Sequence, residues 1–320
     1  MPVPRSLDTV AVIGNGIIGH GVAQVFAMAG KRVRMIGRSA ESLKRAKGRI
    51  AEGLALFRDN GLISQSEADS ALVRVETCTA LPDASGAQLV VEAVPEDMEL
   101  KLEIFRQLDT ICPPPAVLAS SSGHPASELT SRVRHPERVI AAHFWYPPQL
   151  LPLVEVCGGP ATLPEVVAWT CDALREAGKE PVVIDREVPG FIGNRIQFAA
   201  LREAWSLWAA GVASAEAIDA VVRNSIGRRL GVTGPIESAD LGGLETMYNF
   251  ARFLQPHLDA APEPPAVIGD LVRQGRKAIG QGGGVHDWKK RDPEPLLAAR
   301  RAELIRWLKA DLSFKKKEHG

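Results

Sequence analysis

The chain has 320 residues, of which 45% are hydrophobic, so it is long and apolar enough to form two domains with sizeable cores. Its 38 Lys and Arg residues balance its 38 Asp and Glu residues, which gives a formal net charge of zero. This balance excludes a general electrostatic attraction to nucleic acid or to a membrane surface. We therefore expect neither of them as a partner.

The compartment is indicated by the cysteines and by the apolar runs. No apolar run approaches the length of a membrane span, and residues 1–8 lack the basic and apolar segments of a secretory signal. The cysteines are widely spaced, with no C-x-x-C or other metal-like pattern: Cys78, Cys112, Cys157 and Cys171. We expect a soluble cytoplasmic protein with reduced thiols and no metal site.

Short β-branched runs alternate with helix-like segments over about the first 185 residues. The runs predict strands at Thr9–Ile13, Arg32–Ile36, Leu89–Ala93, Val117–Ser120, Val139–His143, Leu153–Val156 and Val182–Ile184. The segments between them predict helices at Ile17–Ala29, Ala40–Asn60, Met98–Ile111 and Leu163–Ala177. Such alternation is typical of an α/β fold with a parallel, doubly wound sheet.

The pattern changes after the segment 185–190, beyond which strand signals almost disappear. Apolar periodicity then predicts helices at Phe191–Ala210, Ala215–Asn224, Leu241–Leu258, Pro265–Gln274 and Pro295–Ala310. We expect a first domain over residues 1–187 and an all-helical second domain over residues 188–320.

A glycine-rich turn joins the first predicted strand to the first predicted helix. It reads Gly14-Asn15-Gly16-Ile17-Ile18-Gly19, the G-x-G-x-x-G signature of a Rossmann-type dinucleotide-binding domain. The three glycines permit a tight turn, close approach of the backbone to the pyrophosphate, and close packing of helix and strand. The alternative is a glycine-rich turn without a ligand. We expect the turn to bind a dinucleotide at the helix N-terminus.

The end of the second strand bears on the choice between NAD and NADP. An NAD-binding domain usually places an acid there for the ribose 2′-hydroxyl, but this chain has Gly37-Arg38-Ser39. An arginine and a hydroxyl would bind the 2′-phosphate of NADP, which a carboxylate would repel. Arg38 could instead be a solvent-facing turn residue. We expect NADP to be preferred and NAD to remain possible.

His143 and Glu155 form a candidate acid–base pair. His143 ends a predicted strand, and in open α/β sheets that edge faces the ligand crevice. An imidazole transfers protons near neutral pH, and a carboxylate can fix its tautomer and favour its protonated form. Glu155 interrupts an apolar run, so its carboxylate requires a partner. The alternative for His143 is a core histidine bonded to a backbone carbonyl.

Two uncharged polar groups could assist this pair. The segment Ser120-Ser121-Ser122-Gly123 follows another strand at the same predicted edge, and Asn194 lies where the helical domain begins. A serine hydroxyl or an asparagine amide can hydrogen-bond a substrate oxygen. Helix capping and turn formation are the alternative roles for both residue types.

Ordered motifs extend along nearly the whole chain: Val12–Ala23, Val90–Glu96, His143-Phe144, Leu153–Val156, Gly178-Lys179, Pro189–Arg195, Glu203-Ala204 and Gly280–Trp288. In these motifs the chain resembles the 3-hydroxyacyl-CoA dehydrogenase family. The resemblance implies reversible hydride transfer between a nicotinamide and the 3-hydroxyl or 3-keto group of a 3-hydroxyacyl or 3-hydroxy acid substrate. It also implies a homodimer formed through the helical domain.

The resemblance also implies roles for individual residues. His143 matches the family's catalytic base and Glu155 the carboxylate that orients it. Ser122 and Asn194 match residues that contact substrate. The residues that match positions near the cofactor ribose and nicotinamide are Glu96 and Lys101.

The chain departs from the family pattern at three places. Tyr146 replaces the usual asparagine, the serine turn differs from Asn-Thr-Ser-Ser, and Arg38 stands where an acid is expected. The segments 147–152 and 228–235 look closer to members that act on small free acids, such as the gulonate 3-dehydrogenase and lambda-crystallin branch, carnitine dehydrogenase and a pyridine-carboxylate dehydrogenase.

Two alternative functions remain open. In the first, Arg195, Arg228 or Arg229 clamps a free carboxylate, because guanidinium groups bind carboxylates in bidentate fashion. The substrate would then be a small alcohol without CoA. In the second, the protein is a catalytically silent, crystallin-like NADP-binding protein, and Tyr146 obstructs the pocket.

Overall fold

A computed structural model describes residues 3–276, 278–279, 283–288 and 290–318, with side chains described through residue 314. Part of the motif 280–288 therefore lies outside the described residues. The chain forms two compact units, one of Met1–Phe191 with Arg300–Gly320, the other of Ile192–Ala299. The sequence places the boundary at residue 187, whereas the first unit continues to Phe191 and includes the C-terminal segment.

The first unit contains one sheet, whose described strands follow the order β3-β2-β1-β4-β5-β6-β7-β8. Their bounds are Thr9–Ile13 (β1), Arg32–Ile36 (β2), Val75–Cys78 (β3), Leu89–Glu92 (β4), Val117–Ser120 (β5), Val139–Phe144 (β6), Leu153–Gly158 (β7) and Glu180–Val183 (β8). Strands β1 to β6 pair in parallel, and the order reverses beside β1. The prediction of a doubly wound α/β domain is confirmed.

The sheet differs from the prediction in the direction of its last strands. Strand β7 pairs with β6 in antiparallel fashion, and β8 pairs with β7 in parallel. The connection between β6 and β7 is the short segment 145–152. A parallel pairing of neighbours requires a crossover of about a dozen residues or more, so a loop of this length selects the antiparallel direction.

Helices cover both faces of this sheet. Their bounds are Gly19–Met28 (α1), Ala40–Asp59 (α2), Gln65–Val73 (α3), Met98–Ile111 (α4), Ala126–Leu129 (α5) and Pro164–Glu176 (α6). One core packs α1, α2, α3 and α6 against the strands, with Phe26 and Ile50 fully buried. A second core packs α4 and the sequence around α5 against the opposite face, with Phe105 and Leu129 fully buried.

Helix α3 and strand β3 are two elements that were not predicted from the sequence. Helix α3 begins with a capping box, in which Ser64 and Glu67 satisfy each other's backbone N–H groups. This signal was present in the sequence. Strand β3 carries a weaker signal, because it lies at the edge of the sheet and buries Val75 while Glu76 and Thr77 are exposed.

The described part of the second unit is helical. Its helices are Phe191–Ala209 (α7), Ala215–Asn224 (α8), Ile226–Arg229 (α9), Pro235–Leu241 (α10), Leu244–Leu254 (α11), Ala266–Arg273 (α12) and Glu294–Glu318 (α13). Helix α7 begins at the last residue of the first unit, and the residues of α13 from Arg300 onward belong to the first unit. The predicted helix over 241–258 is shorter, because Gly243 adopts a positive φ of 87° and separates α10 from α11. None of the described helices has both the length and the apolar character needed to cross a membrane.

Candidate active site

The glycine-rich turn between β1 and α1 is tightly constrained by its neighbours. Gly14 has a φ of 107°, and a Cβ atom there would lie 2.5 Å from the carbonyl oxygen of Ala93. A Cβ atom on Gly19 would lie 2.0 Å from the carbonyl oxygen of Gly14. Arg49 of α2 donates to the carbonyl of Asn15 at 2.7 Å. The first and third glycines are therefore required by the packing of the turn.

Gly16, the second glycine of the turn, has open space beside its backbone, and its carbonyl contacts His20. A Cβ atom on Gly16 would meet nothing within 4 Å, so there is space beside the backbone for a ligand. His20, in the first turn of α1, places its Nδ1 2.6 Å from the carbonyl oxygen of Gly16. Burial lowers the pKa of His20, so the neutral imidazole donates this bond. The open space beside Gly16 fits the close approach of a pyrophosphate.

A cavity of about 680 Å³ opens at the carboxyl ends of β1, β2 and β4. Its wall consists of the segments 13–18, 36–38 and 93–96, together with Thr79, Leu81 and residues of α4. It is large enough for a cofactor and coincides with the reversal of strand order, where α/β sheets bind ligands. The residues of this cavity therefore fit a dinucleotide.

Arg38 and Ser39 have different surroundings. Arg38 lies in the wall of the cavity, and no ion pair or hydrogen bond engages its guanidinium within the described residues. The hydroxyl of Ser39 accepts the backbone N–H of Ser42 at 3.2 Å and so caps α2. Arg38 can therefore meet an anion in the cavity, while Ser39 has a structural role at the helix end.

His143 and Glu155 face each other across the antiparallel pair. They are directly opposite in the register of β6 and β7, which places both side chains on the same face of the sheet. Nδ1 of His143 lies 2.8 Å from Oε2 of Glu155. The two side chains are only 12% and 3% exposed. Because an ionised carboxylate can only accept, a proton belongs on Nδ1, and in the neutral form of the imidazole Nε2 carries the lone pair.

Two aromatic residues border the His143 imidazole. The Trp145 ring meets it edge-on, with centroids 5.6 Å apart and an angle of 63° between the planes. The Phe191 ring lies 6.0 Å away and is fully buried, although its φ of 48° is unusual for a residue other than glycine. Trp145 also donates its indole N–H to Oε2 of Glu155 at 3.1 Å. The side chain of Tyr146 is 51% exposed.

A fully buried ion pair lies at the carboxyl end of β4. Nζ of Lys101 is 2.9 Å from Oε1 of Glu92, and neither side chain is exposed. The same carboxylate accepts the backbone N–H of Val94 at 2.7 Å and the hydroxyl of Ser120 at 2.7 Å. A buried charge requires such partners, because desolvation would otherwise make it costly.

Lys101 of this ion pair also contacts Glu96, which in turn accepts a hydrogen bond from Ser122. Nζ of Lys101 is also 3.5 Å from Oε2 of Glu96, which lines the cavity. The hydroxyl of Ser122 donates to the same oxygen at 2.7 Å. The structure therefore brings Glu96, Lys101 and Ser122 together. Lys101 is fully buried, and its Nζ contacts Glu96, a residue of the cavity wall.

The remaining candidates belong to the second unit. Asn194 and Arg195 lie in the first turns of α7. Arg228 and Arg229 end the short helix α9. Within the described residues, Arg195 and Arg229 have no side-chain ion pair, and Arg228 donates to Oδ1 of Asn224 on α8 at 3.3 Å.

Sequence reasoning missed two residues of this site, Trp145 and Glu92. Trp145 lies two positions beyond His143, so the alternation of an extended strand could have suggested that they share a face. Glu92 is a carboxylate at the end of the fully buried run of β4. A buried carboxylate requires a partner, which could have drawn attention to this position.

The sequence and structure of the chain match known proteins over most of its length. Residues 9–188 match the NAD-binding domain of 3-hydroxyacyl-CoA dehydrogenase, and residues 190–288 match the C-terminal domain of the same family. The chain is 30% identical over 301 residues to 5-formyl-3-hydroxy-2-methylpyridine 4-carboxylate 5-dehydrogenase from Mesorhizobium japonicum, covering 93% of this chain and 96% of that protein.

Two further matches agree with these. The chain is 34% identical over 292 residues to L-carnitine dehydrogenase from Streptomyces griseus, covering 89% of this chain and 86% of that protein. A crystal structure of a 5-dehydrogenase of the same pyridine carboxylate, described as an NAD⁺-dependent dismutase, superposes with a TM-score of 0.87 at 29% identity and covers 96% of this chain and 99% of that one. The chain therefore belongs to the 3-hydroxyacyl-CoA dehydrogenase family of NAD-dependent oxidoreductases.

Proposed function

We propose that the protein is an NAD(P)-dependent dehydrogenase that interconverts the 3-hydroxyl and 3-keto groups of a 3-hydroxyacyl or 3-hydroxy acid substrate. His143 is its general acid and base. The observation that carries this proposal is the buried bond between His143 and Glu155, which leaves Nε2 of the imidazole as a proton acceptor. The glycine-rich turn and the cavity of the same unit support the cofactor half of the proposal.

The reaction divides into a hydride transfer and a proton transfer. A bound nicotinamide supplies the hydride acceptor. In the oxidation, Nε2 of His143 takes the proton of the substrate hydroxyl. Glu155 stabilises the imidazolium that results, because its ionised carboxylate accepts from Nδ1 at 2.8 Å. In the reduction, the same imidazolium returns its proton to the oxygen.

Ser122 and Asn194 are proposed to orient the substrate. Each can hydrogen-bond the reacting oxygen without adding charge, which holds it in line with the base and stabilises a developing alkoxide. The hydroxyl of Ser122 donates to Glu96 in the protein alone. Its oxygen also accepts the backbone N–H of His124 at 3.2 Å, so the second lone pair, or the hydroxyl after a rotation, is what a substrate can use.

The choice of cofactor is proposed to favour NADP, with NAD still accepted. Arg38 lies in the cavity wall, and its guanidinium has no partner in the part of the chain that the structure describes. This supports the preference, since arginine binds phosphate in bidentate fashion. The residues that end β2 include no acid that would repel a 2′-phosphate. The solved relative described as NAD⁺-dependent is the reason to assay both cofactors.

The substrate can be a CoA ester or a smaller alcohol. The Mesorhizobium japonicum relative is named for a pyridine carboxylate and the Streptomyces griseus relative for L-carnitine, and neither name includes coenzyme A. These names favour a small alcohol that carries its own carboxylate. Arg195, Arg228 and Arg229 are the candidates for binding that carboxylate.

We also propose that the second unit forms a homodimer. None of the residues of α8, α10, α11 or α12 is buried. Large apolar side chains of α11 are exposed, including Leu244, Tyr248, Phe250 and Phe253. An exposed apolar surface of this kind is typical of a protein interface.

A turnover panel tests the function directly. Purified protein is assayed with 3-hydroxyacyl-CoA esters, the matching free 3-hydroxy acids, carnitine-like alcohols and cyclic alcohols, each with NAD and with NADP. We expect hydride transfer with at least one class and a higher kcat/KM for NADP. Tight NADPH binding without turnover on any substrate would instead support a catalytically silent protein.

A further inference from the structure

Trp145 contacts both members of the proposed acid–base pair. Its indole N–H donates at 3.1 Å to Oε2 of Glu155, and the same oxygen accepts from Nδ1 of His143 at 2.8 Å. Its ring also meets the imidazole edge-on. One carboxylate oxygen therefore has two fixed donors that come from the same strand end, two residues apart.

The burial of Glu155 makes the second donor important. The Glu155 side chain is 3% exposed, so water contributes little to the solvation of its charge. A hydrogen bond to a charged group in such surroundings is stronger than a bond between neutral groups. The indole donor adds no charge and does not titrate. It can therefore fix the orientation of the carboxylate without competing with His143 as a proton carrier.

Packing alone does not account for the contact. The β6–β7 register already brings His143 and Glu155 to opposite positions on the two strands. The register alone does not set the last torsion of the Glu155 side chain, and the Trp145 N–H adds a second bond on Oε2 that opposes rotation about it. With two donors on Oε2, rotation would break both bonds. Oε2 therefore stays directed at Nδ1, and Nε2 stays directed away from Glu155.

We propose that Trp145 is a positioning residue, which acts through Glu155 to hold His143 in the tautomer and orientation required for proton transfer. This inference rests on the proposed role of His143 as the base. The role proposed for Trp145 differs from that of His143, because Trp145 need not touch substrate or cofactor. A phenylalanine in its place would keep the ring and lose the N–H.

The primary test is Trp145→Phe, assayed with the cofactor and substrate of highest turnover. We expect kcat to fall about tenfold, which corresponds to one lost hydrogen bond to a charged group, while KM changes little. Trp169→Phe is the matched control, because Trp169 is a partly buried tryptophan of α6 packed against the core of the same unit. Its kcat should equal that of the wild-type protein. Equal turnover of Trp145→Phe and wild type would overturn the inference.

A double-mutant cycle separates action through Glu155 from an independent effect. If Trp145 acts through Glu155, then Trp145→Phe should slow the Glu155→Gln variant far less than it slows the wild-type protein. An undiminished tenfold loss in the Glu155→Gln background would overturn the inference. His143→Gln is measured beside these variants. If it retains full turnover, the proposed function fails, whatever the cycle shows.

A second variant at the same position separates loss of the N–H donor from loss of the fold. Trp145→His keeps a ring with an N–H donor and should recover part of the turnover that Trp145→Phe loses. Thermal unfolding and NADPH affinity of each variant report the integrity of the fold. Trp145→Phe could unfold below the assay temperature. In that case, a kcat of folded Trp145→His above that of Glu155→Gln still supports the inference. A kcat of folded Trp145→His no higher than that of Glu155→Gln contradicts the inference.

Discussion

At the scale of single residues, Arg38 carries the proposed preference for NADP. Its guanidinium lies in the cavity wall and has no charged partner within the described residues. Arg38→Asp should raise KM for NADP by about 10- to 100-fold, because a charge-assisted hydrogen bond is replaced by repulsion. KM for NAD should stay the same or fall, since the new carboxylate can accept from a ribose 2′-hydroxyl. Steady-state kinetics with both cofactors measure the change.

Arg45→Ala is the control for this prediction. Arg45 lies on the exposed surface of α2 and pairs with Glu41 one turn away. Its removal changes the charge of α2 without removing a group from the cavity wall. Its KM values should match those of the wild-type protein. An unchanged KM for NADP in Arg38→Asp would show that Arg38 is only a surface residue.

Residue type and motif were enough to predict part of the candidate site. His143 and Glu155 could be singled out because an imidazole near the end of one apolar strand and a carboxylate within another are unusual. Trp145 and Glu92 carried weaker signals, since their importance depends on partners that the fold brings together. Glu92 meets Lys101 and Ser120 only because α4 and β5 pack beside β4.

At the scale of elements, the β1–α1 turn tolerates no side chain at Gly19. The Cβ of Gly19→Ala would lie 2.0 Å from the carbonyl oxygen of Gly14, and a backbone atom cannot shift as easily as a flexible side chain. We expect a loss of about 1–3 kcal/mol of unfolding free energy from overpacking. NADPH affinity should also fall, because the turn that approaches the pyrophosphate is displaced. Denaturant unfolding and fluorescence titration measure the two effects.

Gly48→Ala on helix α2 is expected to change the unfolding free energy in the opposite direction. A Cβ at Gly48 of α2 would meet nothing within 4 Å, so alanine should stabilise the helix by about 0.5–1 kcal/mol. Its NADPH affinity should not change. If Gly19→Ala proves as stable as Gly48→Ala and binds NADPH equally well, the constraint on the turn is wrong.

Some strands of this fold could be predicted from the sequence and others could not. Strands buried on both faces, such as β1 and β4, are recognisable because they are apolar at all but one terminal position. The edge strand β3 lacks that pattern. The antiparallel direction of β7 follows from the length of the loop 145–152 rather than from any residue type. That direction places Glu155 opposite His143, so the proposed pair depends on a feature the periodicity did not predict.

At the scale of the whole molecule, the apolar surface of α11 predicts self-association. Phe253 is 66% exposed and packs edge-on against Phe250 at 6.2 Å. Sedimentation of the wild-type protein should give a dimer, and Phe253→Glu should shift it towards monomer. Val73→Glu is the control, because Val73 is 83% exposed on α3 of the first unit. A wild-type monomer at micromolar concentration would contradict the proposed dimer.

The most direct test of the proposed mechanism is the turnover of His143→Gln. The amide of glutamine can keep a hydrogen bond to Glu155 but cannot take a proton from a hydroxyl. The measurement uses the substrate and cofactor with the highest wild-type kcat/KM, and a titration with NADPH shows that the cofactor site is intact.

We predict that kcat of His143→Gln falls by about 10²–10⁴-fold, the usual contribution of a general base, while NADPH affinity stays within twofold of the wild type. Turnover equal to that of the wild-type protein, with NADPH bound normally, would contradict the assignment of His143 as the group that moves the proton.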